Sequence, residues 1–269
     1  MAEIIAIVNQ KGGVGKTTTA VNIGACLAAS GKKTLLIDAD QQGNSTSSLG
    51  ISKKNLKESF YDFMLTDAPL KDIIMDTPVP DLLIVPSNND SAGIDQEVAK
   101  KDNSGRYFKR IIDERLKSEN FDYVIIDAPP TLNPLAINIM AAAKRLLIPT
   151  QAEYLALEGL ADLIDTYKWV RETINPELSI LGVVITMHSG TNLSKEVTAN
   201  LRQNMGGLVF DTVIPKNVKL AESPSFCLPI IMYDPKSTGS QTYQALTKEI
   251  LTRTGQEAIQ QPEAENPPA

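Results

Sequence analysis

The sequence predicts an α/β fold with a mostly parallel, twisted β-sheet and helices on both of its faces. Short apolar runs alternate along the chain with stretches of helical periodicity. A glycine-rich segment joins the first apolar run to the first helical stretch. Two later apolar runs end in aspartate, and ligands of open α/β sheets bind where parallel strands end. We expect one domain over residues 1–252 and a disordered acidic tail over residues 253–269.

Composition narrows the possible classes of protein. The chain has 269 residues, of which 42% are hydrophobic and 22% charged, which is typical of one soluble domain with a sizeable core. No apolar run approaches the roughly 18 residues of a membrane span, so we expect no membrane partner. Two isolated cysteines and one histidine argue against a disulfide framework, a zinc or iron–sulfur centre and a Ser-His-Asp triad. We therefore expect a cytoplasmic protein.

The charge distribution is uneven along the chain. The net charge of −6 is not typical of a protein that binds nucleic acids. Residues 187–253, however, carry seven lysines and arginines against five acidic residues. This segment permits a weakly basic face, although such scatter is most often ordinary solvated surface.

The predicted elements alternate in chain order. Each strand is a short run of mostly apolar residues, and the strands cover residues 4–8, 33–40, 81–87, 121–127, 145–150, 178–186 and 209–214. The helices have helical periodicity and cover residues 19–29, 107–116, 134–143, 157–174, 193–204 and 237–252. Residues 51–81 predict short helices interrupted at Pro69 and Pro78, and residues 90–103 predict a surface helix or loop.

The segment from Asn9 to Thr18, N-Q-K-G-G-V-G-K-T-T, is typical of a phosphate-binding loop. Glycines let the backbone curl so that its N–H groups point at one anion, and the following helix N-terminus adds further donors. Lys16 would then reach the β- and γ-phosphates, and the Thr17 hydroxyl would bind Mg²⁺. A glycine-rich turn without a ligand is the alternative, but such a turn has no need of two lysines.

The loop departs from the general pattern at its start, where Gln10 replaces a glycine and Lys11 adds a second lysine. The sequence K-G-G-V-G-K-T-T at residues 11–18 resembles the deviant Walker A motif of the ParA/MinD group of P-loop ATPases. The resemblance implies that ATP or ADP binds here and that Lys11 crosses the interface of a homodimer to the partner's nucleotide. The implied nucleotide contacts are Lys11, Gly12, Gly13, Val14, Gly15, Lys16, Thr17 and Thr18, with Lys11 and Lys16 also catalytic.

The strand over residues 33–40 ends in Asp38-Ala39-Asp40 and leads into the loop 41–46. In the ParA/MinD group the corresponding D-x-D-P-Q-G-N segment orients the attacking water through its second acid, which implies a catalytic role for Asp40. Gln41 stands where the group has proline, which loosens the turn without removing a chemical group. A plain helix cap is the other interpretation of Asp40.

The strand over residues 121–127 also ends in an acid, Asp127, which is followed by Ala128-Pro129-Pro130. This arrangement is typical of a Walker B strand, in which Asp127 holds Mg²⁺ through a water molecule, and of the switch II segment that senses the γ-phosphate. A strand that ends in aspartate is weak evidence alone, but together with the phosphate-binding loop it indicates a Walker B strand.

The second half of the chain resembles chromosomal ParA (Soj) proteins. The matching stretches are residues 149–159, 191–194 and 214–225. The acidic tail lacks the basic amphipathic helix with which MinD-like proteins bind membranes. The resemblance implies a nucleoid-associated homodimer that binds double-stranded DNA without sequence preference when ATP is bound, with hydrolysis stimulated by a ParB-type partner.

Four lysines are candidates for the contact with DNA phosphates. Lys216 and Lys219 are the stronger pair, and Lys195 and Lys248 are the weaker one; ordinary solvated loop lysines are the alternative. The resemblance also implies that Met187 and Pro215 line the adenine pocket, although ordinary loop packing explains apolar residues there equally well.

The sequence leaves two other functions open. A ParA-like ATPase could position a non-DNA cargo, such as a carboxysome or a chemoreceptor cluster, with the same ATP-bound dimer. A nucleotide switch that never hydrolyses ATP is disfavoured by the presence of both Asp40 and Asp127.

Overall fold

The computed structural model describes residues 2–91, 93–101, 104–153 and 156–255. The strands are β1 (Glu3–Ile7), β2 (Thr34–Asp38), β3 (Met75–Asp76), β4 (Leu82–Val85), β5 (Tyr123–Asp127), β6 (Arg145–Gln151), β7 (Ser179–His188) and β8 (Val209–Pro215). The α-helices are α1 (Lys16–Ala29), α2 (Asn44–Ser48), α3 (Phe60–Leu65), α4 (Leu70–Ile73), α5 (Ile94–Lys101), α6 (Tyr107–Arg115), α7 (Pro134–Ala142), α8 (Ala156–Thr173), α9 (Asn192–Met205), α10 (Val218–Glu222), α11 (Ile230–Tyr233) and α12 (Thr238–Arg253). Within these ranges, no helix is both long and apolar enough to cross a membrane.

The strands form one sheet in the order β3-β4-β2-β5-β1-β6-β7-β8. Neighbouring strands are parallel except for the antiparallel pair β3 and β4. Asp127 lies opposite Asp38 on one side and Ile7 on the other. The carboxyl ends of β1, β2 and β5 therefore meet at one edge, and this edge carries the phosphate-binding loop.

Both faces of the sheet are covered, which explains why the strands are apolar on both sides. Ile5 and Ile7 of β1 point to the face covered by α1 and α12, whereas Ala6 and Val8 belong to the core on the other face. The same alternation along β5 places Ile125 in the core beneath α1 and α12, and Ile126 in the core on the other face. The predicted α/β fold with helices on both faces is confirmed.

The structure differs from the predicted elements in local detail. β2 ends at Asp38 rather than at residue 40. The amide of Ala39 still donates to the backbone carbonyl of Asp127, but the chain then turns, and the carbonyl of Asp40 accepts from the amide of Gly43. The predicted loop 41–46 contains the start of α2, and the two-residue edge strand β3 was not predicted.

The last helix extends one residue beyond its predicted end. Arg253 closes α12, and its guanidinium donates to the carbonyl of Leu181 at 2.9 Å. The hydroxyl of Thr254 lies 2.7 Å from that of Tyr123. The rest of the predicted tail, residues 256–269, lies outside the described residues.

Candidate functional site

The loop between β1 and α1 curls around an open concavity. Gly13 and Gly15 have φ angles of 76° and 89°, in the left-handed region that favours glycine. A Cβ atom added at Gly12 or Gly13 would meet no atom within 4 Å, so these positions face open space. The N-cap of α1 is Gly15, so no capping side chain bonds the amides in the first turn of the helix. The first amide groups of α1 are therefore available to an anion.

Side-chain hydrogen bonds with the neighbouring strands β6 and β7 fix the loop. The side-chain nitrogen of Asn9 donates to the carbonyl of Pro149 at 2.8 Å, and its side-chain oxygen accepts from the backbone amide of Lys11 at 2.9 Å. Thr186 of β7 donates to the carbonyl of Val14 at 2.8 Å, and Gln151 donates to that of Gly13 at 3.0 Å. These bonds hold the loop in one conformation, which lowers the entropy cost of binding a ligand.

Lys16 lies at the start of α1 with only 7% of its surface exposed. Its ammonium donates to the carbonyl of Lys11 at 3.2 Å. Burial lowers the pKa of Lys16, while the nearby carboxylates of Asp127 and Asp40 act in the opposite direction. The arrangement directs a buried cation at the mouth of the loop, where phosphate charge would be compensated.

Two buried carboxyl groups lie side by side at the ends of β2 and β5. Oδ2 of Asp38 accepts from the amide and the hydroxyl of Thr46, at 2.8 and 2.7 Å, and Oδ2 of Asp127 accepts from the Ser45 hydroxyl at 2.8 Å. Oδ1 of each aspartate is buried and has no hydrogen-bond partner among the described residues. Burial raises the pKa of both groups; Asp127 raises that of Asp38 further, and the hydroxyls of Ser45 and Thr17 lower that of Asp127.

These groups fit a magnesium ion better than a zinc ion. The Asp127 carboxylate, which has an unpaired buried oxygen, and the nearby Thr17 hydroxyl are hard oxygen donors of the kind that Mg²⁺ prefers. In the described part of the chain, no group of three or more His, Cys, Asp or Glu side chains is arranged to hold a metal ion. Most ligands of a metal here would therefore be waters and ligand phosphates, as is usual for Mg²⁺.

The raised pKa of Asp38 predicts a pH dependence of stability for the protein without metal and nucleotide. Folded Asp38 binds its proton more tightly than unfolded Asp38, whose pKa is about 4, so its contribution to stability is present at low pH and is lost as pH rises through the raised pKa. We expect the Tm of the wild type to fall between pH 5 and pH 8. The free energy of unfolding should decline less steeply in Asp38→Asn, by up to about 1.4 kcal/mol per pH unit. Thermal unfolding with a chelator present measures it. Asp165→Asn, at an exposed site, is the control, and parallel curves for Asp38→Asn and wild type would contradict the prediction.

Asp40 lies beside the same loop with 8% of its surface exposed. One of its oxygens accepts from the amide of Gln42 at 2.9 Å. The turn that follows needs Gly43, because φ is 57° there and a Cβ atom would overlap the carbonyl oxygen of Ser87. The other interpretation of Asp40, a helix cap, does not fit the structure, because α2 is capped by Gly43 and has no side-chain cap.

Most of the predicted phosphate-site residues line one cavity of about 390 Å³, whereas Lys11, Val14 and Asp127 do not line it. It is bounded by Gly12, Gly13, Gly15, Lys16, Thr17, Thr18, Asp40, Gln42, Asn44, Pro130 and Met187. This size lies within the usual range of ligand pockets. A larger cavity, of about 660 Å³, lies between α6 and the first residues of β1 and β5, and it contains none of the predicted site residues.

The two predicted adenine contacts differ in position. Met187 lines the cavity, is 42% exposed and has a left-handed φ of 51°, and its sulfur lies 3.0 Å from the Gln151 amide. Pro215 ends β8 opposite His188 and does not line the cavity. Both assignments remain predictions.

Lys11 contacts its own chain in this structure. Its ammonium lies 2.8 Å from Glu153, and the two side chains are 35% and 59% exposed. Such an exposed ion pair contributes only about 0–1 kcal/mol. Lys11 can therefore leave Glu153 at little cost, and its predicted role at a dimer interface stays a prediction.

The four candidate DNA-binding lysines do not form one group. Lys216 and Lys219 follow β8, and Lys195 lies in the first turn of α9, after β7. Lys219 bonds Glu222 at 3.0 Å, which raises its pKa. Lys248 lies near the end of α12. Arg253 at the end of this helix bonds Val209, the first residue of β8, at the end of the sheet opposite the phosphate-binding loop.

Sequence reasoning did not single out Ser45, Thr46 or Glu153. Ser45 and Thr46 lie in the loop 41–46, but their partners are Asp127, 82 residues away, and Asp38. The predicted contact of Lys11 was with a partner subunit, so the bond to Glu153 had no signal in the motif.

The fold and the site define a P-loop nucleotide-binding protein. A family model described as an AAA domain matches residues 2–180. Among solved structures, cobyrinic acid a,c-diamide synthase from Mycobacterium smegmatis, with bound ADP and magnesium, is similar with a TM-score of 0.82 and 30% identity, over 95% of this chain and 96% of that one.

Two curated relatives are more specific. The chain is 46% identical over 251 residues to the sporulation initiation inhibitor protein Soj of Bacillus subtilis, covering 93% of this chain and 98% of that protein. It is 42% identical over 251 residues to the chromosome partitioning protein ParA of Caulobacter vibrioides, covering 93% and 94%. The chain belongs to the ParA/Soj family of chromosome-partitioning ATPases.

Proposed function

We propose that this protein is a Mg²⁺-dependent ATPase whose ATP-bound homodimer binds DNA without sequence preference and, with a ParB-type partner, segregates chromosomal or plasmid DNA. The observation that carries the proposal is the cavity that joins the glycine-rich loop, Lys16, Thr17 and Asp40. The relatives named ParA and Soj support the cellular role.

The chemistry is phosphoryl transfer to water. The open amides of residues 12–17 and the buried ammonium of Lys16 stabilise negative charge on the β- and γ-phosphates. Thr17 and Asp127 would hold Mg²⁺, which would supply further positive charge at the phosphates. Asp40 positions the attacking water at the cavity wall. Lys11 moves from Glu153 to the partner's nucleotide, so ATP stabilises the dimer and hydrolysis releases it.

Slow turnover follows from this role. ATP must persist long enough to hold the dimer on DNA, and the ParB-type partner accelerates hydrolysis. The lysines that follow β8 provide the contact with DNA phosphates, and this contact does not depend on base sequence. Lysine neutralises phosphate as a point charge, without the bidentate geometry of arginine.

Electrophoretic retardation of double-stranded DNA tests the proposal, with ATP, with ADP and without nucleotide. We expect retardation only with ATP, and we expect the double variant Lys216→Ala/Lys219→Ala to abolish it at moderate salt. At lower salt, the slope of log affinity against log salt should flatten by about 0.9 for each DNA phosphate that the variant no longer neutralises.

A matched control removes two lysines elsewhere. In Lys109→Ala/Lys117→Ala the charge change is the same, and Lys109 is ion-paired to Asp113 much as Lys219 is to Glu222. Both control lysines border the second cavity, away from the nucleotide site. We expect this variant to bind DNA as the wild type does. Absence of binding with every nucleotide at low salt would contradict the DNA-binding proposal.

A further inference from the structure

The first turn of α2 binds both buried carboxyl groups at the sheet edge. The Ser45 hydroxyl donates to Asp127 at 2.8 Å, and Thr46 donates to Asp38 through its amide and hydroxyl. The amide of Ser87, just after β4, donates to the Thr46 hydroxyl at 2.8 Å. Ser45 and Thr46 are completely buried. This short helix is thus tied to the ends of three strands.

α2 cannot hold this position by its own stability. It has five residues, and isolated helices of that length are not stable in water. Its N-cap, Gly43, provides no side-chain bond, and its first turn has no acidic residue. The buried hydrogen bonds of Ser45 and Thr46 therefore supply the directional contacts that fix where α2 lies.

The position of α2 constrains Asp40. Only four residues, 41–44, separate Asp40 from Ser45. Within them the amide of Gly43 bonds the carbonyl of Asp40 at 2.9 Å, and Gly43 packs directly against Ser87. A shift of Ser45 would therefore be passed to Asp40 through a short and packed connection.

Ser45 also leaves Asp127 with one free oxygen. Oδ2 of Asp127 is taken by the Ser45 hydroxyl, whereas Oδ1 is buried without a hydrogen-bond partner in the described residues. A carboxylate anchored through one oxygen has its other oxygen held in a fixed direction. Such anchoring is how groups outside the ligand set orient the ligands of a metal site.

We propose that Ser45 is a positioning residue of the candidate magnesium site: its hydroxyl fixes the carboxylate of Asp127, which would help to hold the metal, and couples α2, and with it Asp40, to that carboxylate. This inference rests on the proposed ATPase function. Ser45 is completely buried, its hydroxyl bonds Asp127, and it does not line the cavity, so its role would be exerted through that carboxylate.

Two substitutions separate the hydroxyl from the volume of the side chain. Ser45→Ala removes the donor, and Ser45→Cys refills the space with a weak donor. Ser47→Ala is the matched control, because Ser47 lies on the same helix and its hydroxyl bonds only the local carbonyls of Gly43 and Asn44 among the contacts described.

The first measurement is a Mg²⁺ titration of the binding of a fluorescent ADP analogue. We expect the Mg²⁺ concentration at half-saturation to rise about tenfold in both Ser45 variants. Affinity for the analogue without Mg²⁺ should stay within about twofold of wild type, because the phosphate-binding loop is intact. Ser47→Ala should match the wild type in both respects.

The second measurement is amide hydrogen exchange at Thr46 in protein without metal and nucleotide. Exchange should be several-fold faster in both Ser45 variants, since α2 loses one of its buried anchors. An unchanged Mg²⁺ midpoint in Ser45→Ala, recovery of that midpoint in Ser45→Cys or an equal shift in Ser47→Ala would each overturn the proposal. If wild-type protein binds nucleotide with no dependence on Mg²⁺, the positioning proposal is overturned; if it binds no nucleotide at all, the proposed function fails.

Discussion

Lys16→Ala is expected to abolish measurable nucleotide binding. The Lys16 ammonium is the buried cation of the phosphate-binding loop, and its partner in the structure is a neutral backbone carbonyl, that of Lys11. A phosphate group would replace this carbonyl with a charge-assisted contact to a largely buried ammonium. We expect the affinity for ATP and ADP to fall at least about 100-fold, which corresponds to about 2.7 kcal/mol. Isothermal titration calorimetry with each nucleotide measures it.

Two other lysines give this experiment its controls. Lys32→Ala removes the same charge just beyond the far end of α1 and should bind ATP normally. Lys11→Ala should also bind nucleotide as a monomer but fail to form the ATP dimer, which analytical ultracentrifugation detects. Normal ATP affinity in Lys16→Ala would exclude the proposed phosphate site.

The parts of the site that could be predicted from the sequence are those encoded over a few residues. The glycines and Lys16 lie within one loop, and Asp40 and Asp127 each end or follow an apolar run. Because parallel strands end at one edge of a sheet, these local signals were enough to predict that the three segments meet. Asp40 lines the same cavity as the loop, and the segment after Asp127 reaches that cavity through Pro130.

The contacts that could not be predicted join residues far apart in sequence. The bond from Ser45 to Asp127 depends on the register between β2 and β5, which no local pattern fixes. The pair of Lys11 and Glu153 depends on where the chain after β6 passes the loop. The edge strand β3, with two exposed residues, has neither the length nor the alternation by which strands are predicted.

Asp40→Ala is expected to stop hydrolysis while ATP binding persists, so that an ATP-bound dimer accumulates on DNA. Asp40 lies at the cavity wall, where a carboxylate can position water against the γ-phosphate. A group that positions or deprotonates a nucleophile contributes about 10²–10⁴-fold to the rate, so we expect kcat to fall at least about 100-fold. Phosphate release under steady-state conditions measures the rate, and DNA retardation after ATP removal measures the lifetime of the complex.

The structure offers a variant that separates this chemistry from the turn. The Asp40 carboxylate also accepts from the amide of Gln42 at 2.9 Å, so alanine removes a turn contact as well as the acid. Asp40→Asn keeps an oxygen for that bond and loses only the negative charge. If Asp40 acts on the water, both variants lose hydrolysis and both form long-lived dimers. If asparagine restores hydrolysis, Asp40 only shapes the turn, and an unaltered rate in Asp40→Ala would remove this residue from the mechanism altogether.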